Sequence, residues 1–280
     1  MCTALQYQYC MGRNFDYEIS YKEEPRIYTE EIYKIKGIVA DIADYPLFYD
    51  AMNEHGLCMA GLNFEGNAYY YPEEDPTKKN IAPWELIPKV LGTCKTIKEA
   101  KEYLINVQII DKPFNENLPN SPLHWFVCDT QESIVIEQTK KDGLQVYDDK
   151  FNVLTNNPPF PMQEKYFYIN KPAKALGTAI NKLLPKKMKT RGTETYGIAG
   201  GLTSFERFQR AVLFKDALKK AKSKFNAVIE TFHLMDSVAQ IYGATPVKDK
   251  FEYTIYSVVY NMKSQKMYIK HYNKLEIEEY

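Results

Sequence analysis

The chain has 280 residues, with 36 Lys and Arg against 36 Asp and Glu, and 45% of its residues are hydrophobic. A net charge of zero gives no chain-wide attraction for phosphate backbones or anionic lipid, which argues against nucleic-acid and membrane partners. No apolar run approaches the ~20 residues of a membrane helix, and the N-terminus lacks the plan of a secretory signal. We therefore expect a globular, cytoplasmic protein with a sizeable core.

The cysteines and histidines form no recognisable framework. The five cysteines are an odd number and contain no Cys-x-x-Cys pair, so at least one thiol must stay free. Cys10, Cys58, Cys94 and Cys128 lie in apolar or strand-like settings, where buried inert thiols are usual. His55 fits a hairpin turn, and the histidines at 124, 233 and 271 have no partners at ligand spacing. We expect neither a metal nor a cofactor.

The N-terminal part predicts strands. Residues 2–9 alternate as a strand does, and residues 17–33 are charged and aromatic, as in exposed strands or a loop. Residues 47–64 predict two strands around a turn at 53–56, and the second strand is apolar enough to be buried on both faces.

The next segment predicts helices followed by a loop. Pro83 is placed as at a helix start, with Asn80 as its cap, and a second helix is predicted over about 96–106. Residues 107–122 contain three prolines and three asparagines, which predicts a long ordered loop.

The remainder alternates between strands and helices. Strands are predicted at 123–129, 133–138, 143–147, 151–155, 253–261 and 266–272, and helices at about 205–222 and 225–242. Residues 171–191 are basic and irregular, which is typical of a solvated loop or a subunit contact. With no linker between these elements, we expect one α+β domain spanning residues 1–280.

Cys2 is the most informative residue for function. Removal of Met1, which a small second residue permits, would leave a thiol and a free α-amine on one residue. A thiol with a pKa near ~8.5 beside an amine with a pKa near ~8 is a complete nucleophile and base near neutral pH. The alternative is a small strand residue that follows Met1 by accident.

The block Gly12-Arg13-Asn14-Phe15-Asp16 supports the catalytic interpretation. If a tight turn follows the first strand, Arg13 and Asp16 can return to the chain start. Asp16 would then orient the amine, and Arg13 would favour the thiolate by charge attraction. The alternative is a surface ion pair near a turn.

Together with these residues, several further blocks occur in a fixed order along the chain: Met52-Asn53-Glu54-His55-Gly56-Leu57, Ala60-Gly61-Leu62-Asn63-Phe64, Leu123-His124-Trp125, Val135-Ile136-Glu137-Gln138-Thr139, Val153-Leu154-Thr155-Asn156-Asn157-Pro158 and Arg207-Phe208. In this pattern the sequence resembles the choloylglycine hydrolases, the group of bile salt hydrolases and penicillin V acylases within the N-terminal nucleophile hydrolases. The resemblance implies a four-layer αββα sandwich with two mainly antiparallel sheets.

The resemblance also implies the roles of six residues. Cys2 matches the nucleophile exposed by loss of Met1, and Arg13 and Asp16 match the pair that holds its amine and thiol. Asn63 and Asn156 match the asparagines around the oxyanion, and Arg207 matches the arginine that completes the polar cluster.

The substrate expectation also rests on the resemblance. Asn63 is typical of bile salt hydrolases, whereas several penicillin V acylases carry Tyr there, so deconjugation of glycine- or taurine-linked bile salts is the leading hypothesis. The acyl pocket would include Phe15, Ile42, Phe114 and Leu118, which could equally be ordinary core residues. Relatives are often tetrameric, which implies a homo-oligomer.

Two alternatives remain open. The first is another amidase of the same mechanism, either a penicillin V acylase or an acyl-homoserine-lactone acylase. The second is a weakly active relative that serves as a binding protein. Retention of all six site residues argues against the second.

Overall fold

The computed structural model describes residues 1–42, 45–170 and 174–280. The strands are β1 Cys2–Tyr7, β2 Cys10–Tyr17, β3 Glu24–Tyr28, β4 Ile35–Ile42, β5 Tyr45–Asn53, β6 Cys58–Asn63, β7 Lys79–Ile81, β8 Val107–Ile109, β9 Leu123–Cys128, β10 Ser133–Thr139, β11 Gly143–Asp148, β12 Val153–Leu154, β13 Thr245–Val247, β14 Lys250–Asn261, β15 Lys266–His271 and β16 Ile277–Glu279. The α-helices are α1 Leu86–Thr93, α2 Ile97–Leu104, α3 Phe160–Asn170, α4 Lys174–Leu183, α5 Ser204–Ala217 and α6 Lys224–Asp236.

Two large antiparallel sheets form the centre of the fold. The first sheet has the order β12-β1-β2-β14-β15-β16, with β13 paired to β14, and the second has the order β11-β10-β9-β6-β5-β4-β3. A small parallel pair, β7 and β8, lies apart from both. The predicted α+β class with two mainly antiparallel sheets is therefore confirmed.

Helices cover the outer faces of the sheets. The apolar side chains of α1 and α2 pack on the second sheet against residues such as Val39, Met59 and Trp125. Helices α5 and α6 pack against the first sheet, while the main apolar cluster continues between the sheets. This is the expected helix–sheet–sheet–helix order. No helix in the described ranges combines the length and apolar character needed to cross a bilayer.

Gly12 shows how closely helix and sheet approach. A Cβ added at Gly12 would lie 2.7 Å from Cγ2 of Thr231 and 2.9 Å from Sδ of Met235, both on α6. Since real Cβ atoms do not tolerate such contacts, a glycine at this position lets α6 lie directly on β2. Asn14, two residues further along β2, also faces α6 and donates to the carbonyl of Met235 at 2.9 Å.

Most predicted elements are confirmed, and four expectations need correction. Asn80 is not a helix cap, because it lies in β7 and its side chain bonds to Asp75; the short 3-10 helix Pro83–Glu85 begins after Ala82. The predicted loop at 107–122 opens with β8. The helix predicted to about 242 ends at Asp236.

The fourth correction concerns the basic segment 171–191. Its first three residues lie outside the described residues, and α4 occupies Lys174–Leu183, so the segment is not simply irregular. Helix α3, just before it, was not expected. Its apolar side chains are spread around the helix, with Phe160 and Phe167 buried but Met162 and Ile169 exposed, so it shows no single-sided pattern.

Candidate active site

Cys2 lies at the start of β1 and is buried between other strands. It pairs directly with Phe15 on β2, and only 4% of its surface is exposed. Its backbone N–H donates to Oδ1 of Asn156 at 2.8 Å. Because Met1 is still attached, this peptide nitrogen stands in for the α-amine that Cys2 would carry after loss of Met1.

The N-terminal ammonium of Met1 lies beside Asp16 and Glu252. It donates to the backbone oxygen of Asp16 at 3.0 Å and forms an ion pair with Glu252. Burial lowers the pKa of this ammonium, while the neighbouring Cys2 and Asp16 partly oppose the effect.

Arg13 approaches the sulfur from the space between the two sheets. Its Nη2 lies 3.5 Å from Sγ of Cys2 and donates to the carbonyl of Gly61 at 3.0 Å. Its Nη1 donates to Asp50 at 2.8 Å and to the hydroxyl of Tyr256 at 2.5 Å. Arg13 is 1% exposed, so the ion pair with Asp50 is fully buried and is not a surface pair near a turn.

Asp16 lies near Cys2 without bonding to its nitrogen. Arg13 and Asp16 are three residues apart on a strand, so their side chains project to opposite faces. The Asp16 carboxylate accepts from the hydroxyl of Thr254 at 2.6 Å and from Gln240 at 3.0 Å. The nearest Arg207 nitrogen is 3.9 Å away. In the form with Met1 attached, Asn156 and not Asp16 holds the nitrogen of Cys2.

Asn156 connects most of the predicted residues. Its Oδ1 accepts from Cys2 and from Arg207 Nη2, the latter at 2.7 Å. Its Nδ2 donates to the backbone oxygen of Asn63 at 2.8 Å, which leaves the second N–H of the amide for another acceptor. Oδ1 of Asn63 is buried and has no hydrogen-bond partner among the described residues.

Arg207 projects from the first turn of α5, whose start is fixed by a capping box between Thr203 and Glu206. It donates to the carbonyl of Cys2 at 2.7 Å, to the hydroxyl of Thr3 at 2.5 Å and to the carbonyl of Leu202 at 2.9 Å. Burial lowers its pKa, an effect that the charge of Asp16 opposes. Arg207 therefore holds the Cys2 carbonyl directly and the Cys2 nitrogen through Asn156.

A second set of residues supports this cluster and was not expected from the sequence. Gln163 of α3 donates to the carbonyls of Asn156 and Pro158 at 2.5 and 2.8 Å. His124 bonds to Glu137 at 3.0 Å and to the carbonyl of Thr155 at 2.9 Å. The other members are Asp50, Tyr256, Tyr260, Gln240 and Thr254. Among these supporting residues, only His124, Glu137 and Thr155 belong to the sequence blocks that carry the family resemblance.

Two β-bulges adjoin the site. The β4–β5 register steps from Ile38 opposite Asp50 to Val39 opposite Phe48, which leaves Tyr49 as the extra residue. The β2–β14 register skips Ile255 in the same way. A bulge changes the direction of the side chains around it. Here the Tyr49 ring lies tilted against the Phe15 ring, and Asp50 accepts a hydrogen bond from Arg13.

The four predicted pocket residues divide into two groups. Phe15 is next to the site, with the guanidinium carbon of Arg13 4.6 Å from its ring centre. Phe114 packs against Tyr45 and Trp84, and Tyr45 is paired with Ile42. Leu118 forms a small bridge with Asn115 in the same loop. Tyr45 and Tyr49 on β5 lie between the two groups.

All five cysteines are free thiols, and the cavity is lined by none of the six predicted catalytic residues. All five cysteines lie in the described part of the chain, and each is an unpaired, buried thiol. Within the described ranges no group of His, Cys, Asp and Glu could hold a metal ion. A cavity of about 810 Å³ lies at α2, β8 and β11, and its lining includes none of the six predicted catalytic residues.

The two antiparallel sheets between layers of helices are the architecture of the N-terminal nucleophile hydrolases. The family model for linear amide C–N hydrolases of the choloylglycine hydrolase family matches residues 2–280. The chain belongs to this family, as the sequence resemblance indicated, and it is a hydrolase of linear amide bonds.

Individual relatives agree with this membership. The chain is 42% identical to the bile salt hydrolase/transferase of Lactiplantibacillus plantarum, over 99% of this chain and 91% of that protein. A crystal structure of a variant of the conjugated bile acid hydrolase from Clostridium perfringens matches with a TM-score of 0.87 at 30% identity, covering 100% of this chain and 92% of the other. The penicillin V acylase from Agrobacterium tumefaciens has the same fold, with a TM-score of 0.74 at 19% identity over 99% and 85% of the two chains.

Proposed function

We propose that this protein hydrolyses the amide bond of glycine- or taurine-conjugated bile salts. The observation that carries the choice of substrate is the 42% identity, over 99% of the chain, to a protein named bile salt hydrolase/transferase. The polar cluster around Cys2 supplies the chemistry. The penicillin V acylase shares the fold at only 19% identity, so it is the less favoured model for the substrate.

Before any turnover, the Met1–Cys2 peptide bond is hydrolysed, and the peptide nitrogen of Cys2 becomes an α-amine. Asn156 Oδ1, 2.8 Å from that nitrogen, then holds the amine. The amine takes the thiol proton, and Arg13 at 3.5 Å from the sulfur stabilises the thiolate by charge. Cys2 is buried, and burial favours the neutral form of an amine, which is the form that can accept the thiol proton.

The thiolate then attacks the amide carbonyl and forms a C–S bond. Negative charge develops on the carbonyl oxygen, and the free N–H of Asn156 with the amide of Asn63 are the proposed donors to it. The protonated amine gives its proton to the leaving nitrogen as the C–N bond breaks, which releases glycine or taurine. Water, deprotonated by the same amine, hydrolyses the thioester and restores the thiol.

The acyl group would extend from Cys2 over Phe15 toward Ile42, Phe114 and Leu118. The support is the series of aromatic rings on β5, in which Tyr49 contacts Phe15 and Tyr45 contacts Phe114. Clefts lined by rings and aliphatic groups are the usual way to hold a large apolar body.

The test compares hydrolysis of glycocholate, taurocholate, penicillin V and an acyl-homoserine lactone by protein whose mass confirms loss of Met1. We expect the bile salts to be cleaved with the highest kcat/KM, and Cys2→Ala to be inactive. Cys2→Ser tests whether the sulfur itself is needed. Activity in Cys2→Ala would refute the mechanism, and preference for penicillin V or the lactone would refute the substrate.

Three coarser properties complete the proposal. We propose that residues 1–280 act as one catalytic domain. We propose that the protein works in the reducing cytoplasm, where its five thiols stay unpaired. We also propose that it is a homo-oligomer, a tetramer by analogy with the family. Light scattering of the active protein tests the last point.

A further inference from the structure

Asp50 is a buried carboxylate that belongs to none of the predicted catalytic positions. It is fully buried on β5, and three groups donate to its side chain. These are Arg13 Nη1 at 2.8 Å, the hydroxyl of Tyr256 at 2.6 Å and the hydroxyl of Tyr260 at 2.5 Å. Both carboxylate oxygens therefore have donors, which is what a buried carboxylate needs in order to persist in an ion pair.

Arg13 links this carboxylate to the nucleophile. One guanidinium nitrogen bonds to Asp50, and the other lies 3.5 Å from Sγ of Cys2. Because a guanidinium is planar and rigid, fixing one nitrogen fixes the direction of the other. The Phe15 ring beneath it leaves the group little room to tilt.

The backbone around Asp50 is shaped to place it there. The bulge at Tyr49 brings Asp50 to the side of β5 that faces Arg13. Opposite the bulge, a Cβ on Gly37 would lie 2.1 Å from the carbonyl oxygen of Asp50, so only glycine allows this approach of β4 and β5.

We propose that Asp50 is a positioning residue for Cys2, which holds the Arg13 guanidinium beside the sulfur and balances its charge. This inference rests on the proposed function of Cys2 as nucleophile. Without the carboxylate, the thiolate would become the main counter-ion of a buried cation. A thiolate paired in this way has a lower pKa and is a weaker nucleophile.

A substitution at Asp50 removes the acceptor of Tyr256 and Tyr260 but keeps all the other charged or titratable groups near Cys2 and Arg13 in the protein. They are the α-amine of Cys2 itself, Asp16, Glu18, Tyr49, Arg207, Glu252, Tyr256 and Tyr260. A change in Cys2 titration in an Asp50 variant can therefore be assigned to the lost carboxylate and its effect on the three groups that it held, which are Arg13, Tyr256 and Tyr260.

The experiment uses Asp50→Asn in protein lacking Met1, and measures both hydrolysis of glycocholate and the pH dependence of Cys2 alkylation by iodoacetamide. We expect kcat to fall by about 30-fold or more with KM within about threefold, because the reacting group and not substrate binding is affected. The midpoint of alkylation should move to lower pH by about half a unit or more.

Two further variants separate positioning from folding. Tyr260→Phe removes one donor to Asp50 without touching Arg13, and should shift the midpoint in the same direction by a smaller amount. Asp149→Asn alters another buried carboxylate, which accepts from backbone N–H groups of residues 151–153 away from Cys2. It should leave both the midpoint and kcat per folded molecule unchanged.

The proposal is overturned if Asp50→Asn keeps the wild-type midpoint, or keeps wild-type kcat. If Asp50→Asn does not fold, an unshifted midpoint in Tyr260→Phe overturns it instead. Failure of the proposed function looks different, because wild-type protein would then not hydrolyse glycocholate while its alkylation midpoint still responded to Asp50.

Discussion

Replacement of Arg207 by methionine should remove activity more than it removes stability. Methionine has a similar apolar length but donates no hydrogen bond, so four acceptors lose the bond from Arg207: the carbonyls of Leu202 and Cys2, the Thr3 hydroxyl and Asn156 Oδ1. Each bond to a charged group contributes about 1.5–3 kcal/mol. Removing the buried cation also removes its desolvation cost of several kcal/mol. We therefore expect a net loss of about 3–5 kcal/mol in the free energy of unfolding.

The expected loss of activity in Arg207→Met follows from the groups that Arg207 holds in place. Arg207 holds both the Cys2 backbone and the Asn156 oxygen that positions the amine. Losing about 2.7 kcal/mol of transition-state stabilisation would lower kcat/KM about 100-fold per folded molecule.

Arg210 offers a matched control on the same helix. It is also buried and donates to the carbonyls of Ser237, Ala199 and Gly201, at 2.6, 2.6 and 2.9 Å. Arg210→Met should lower stability by a similar amount and leave kcat/KM per folded molecule close to wild type. Urea unfolding and glycocholate hydrolysis measure the two quantities. Equal kcat/KM in the two variants would refute the clamping role of Arg207.

Two further predictions concern stability. Burial raises the pKa of Asp149 to about 7 despite its backbone hydrogen bonds, so the folded state binds a proton that the unfolded state releases near pH 4. As the pH rises from 4 to 7, the free energy of unfolding should therefore fall by about 1 kcal/mol per pH unit. Asp149→Asn should abolish this slope in urea titrations, and an unchanged slope would contradict the assignment. Gly12→Ala should cost about 1–3 kcal/mol, because the new Cβ would meet Thr231 and Met235. Gly200→Ala, which meets no atom within 4 Å, should stay within about 0.5 kcal/mol of wild type in the same thermal or urea unfolding assay.

Local patterns in the sequence were sufficient for most of the secondary structure. Alternation in residues 2–9 and 253–261 became β1 and β14, and the turn predicted at 53–56 separates β5 from β6. These features depend on neighbours along the chain, which composition and spacing report directly. Helix α3 was missed because apolar residues such as Met162 and Ile169 lie exposed, while the buried face includes the polar Gln163, so the sequence shows no apolar stripe.

The candidate catalytic residues were also recognisable from the sequence. Cys2 is special because of its place after Met1, and the spaced blocks from Gly12 to Arg207 identified the family before any distance was known. The structure brings Cys2, Arg13, Asn156 and Arg207 into direct contact, with Asp16 close by and Asn63 joined through its carbonyl.

Only the tertiary structure decided which groups pair inside the site. Because side chains alternate along a strand, Arg13 and Asp16 face opposite sides of β2. The buried partner of Arg13 is Asp50, 37 residues away. Tyr256 and Tyr260 reach Asp50 from β14, more than 200 residues further on. Two bulges interrupt the alternation that would have predicted these faces. Because a bulge and a long-range ion pair depend on both strands at once, no single stretch of the sequence contains them.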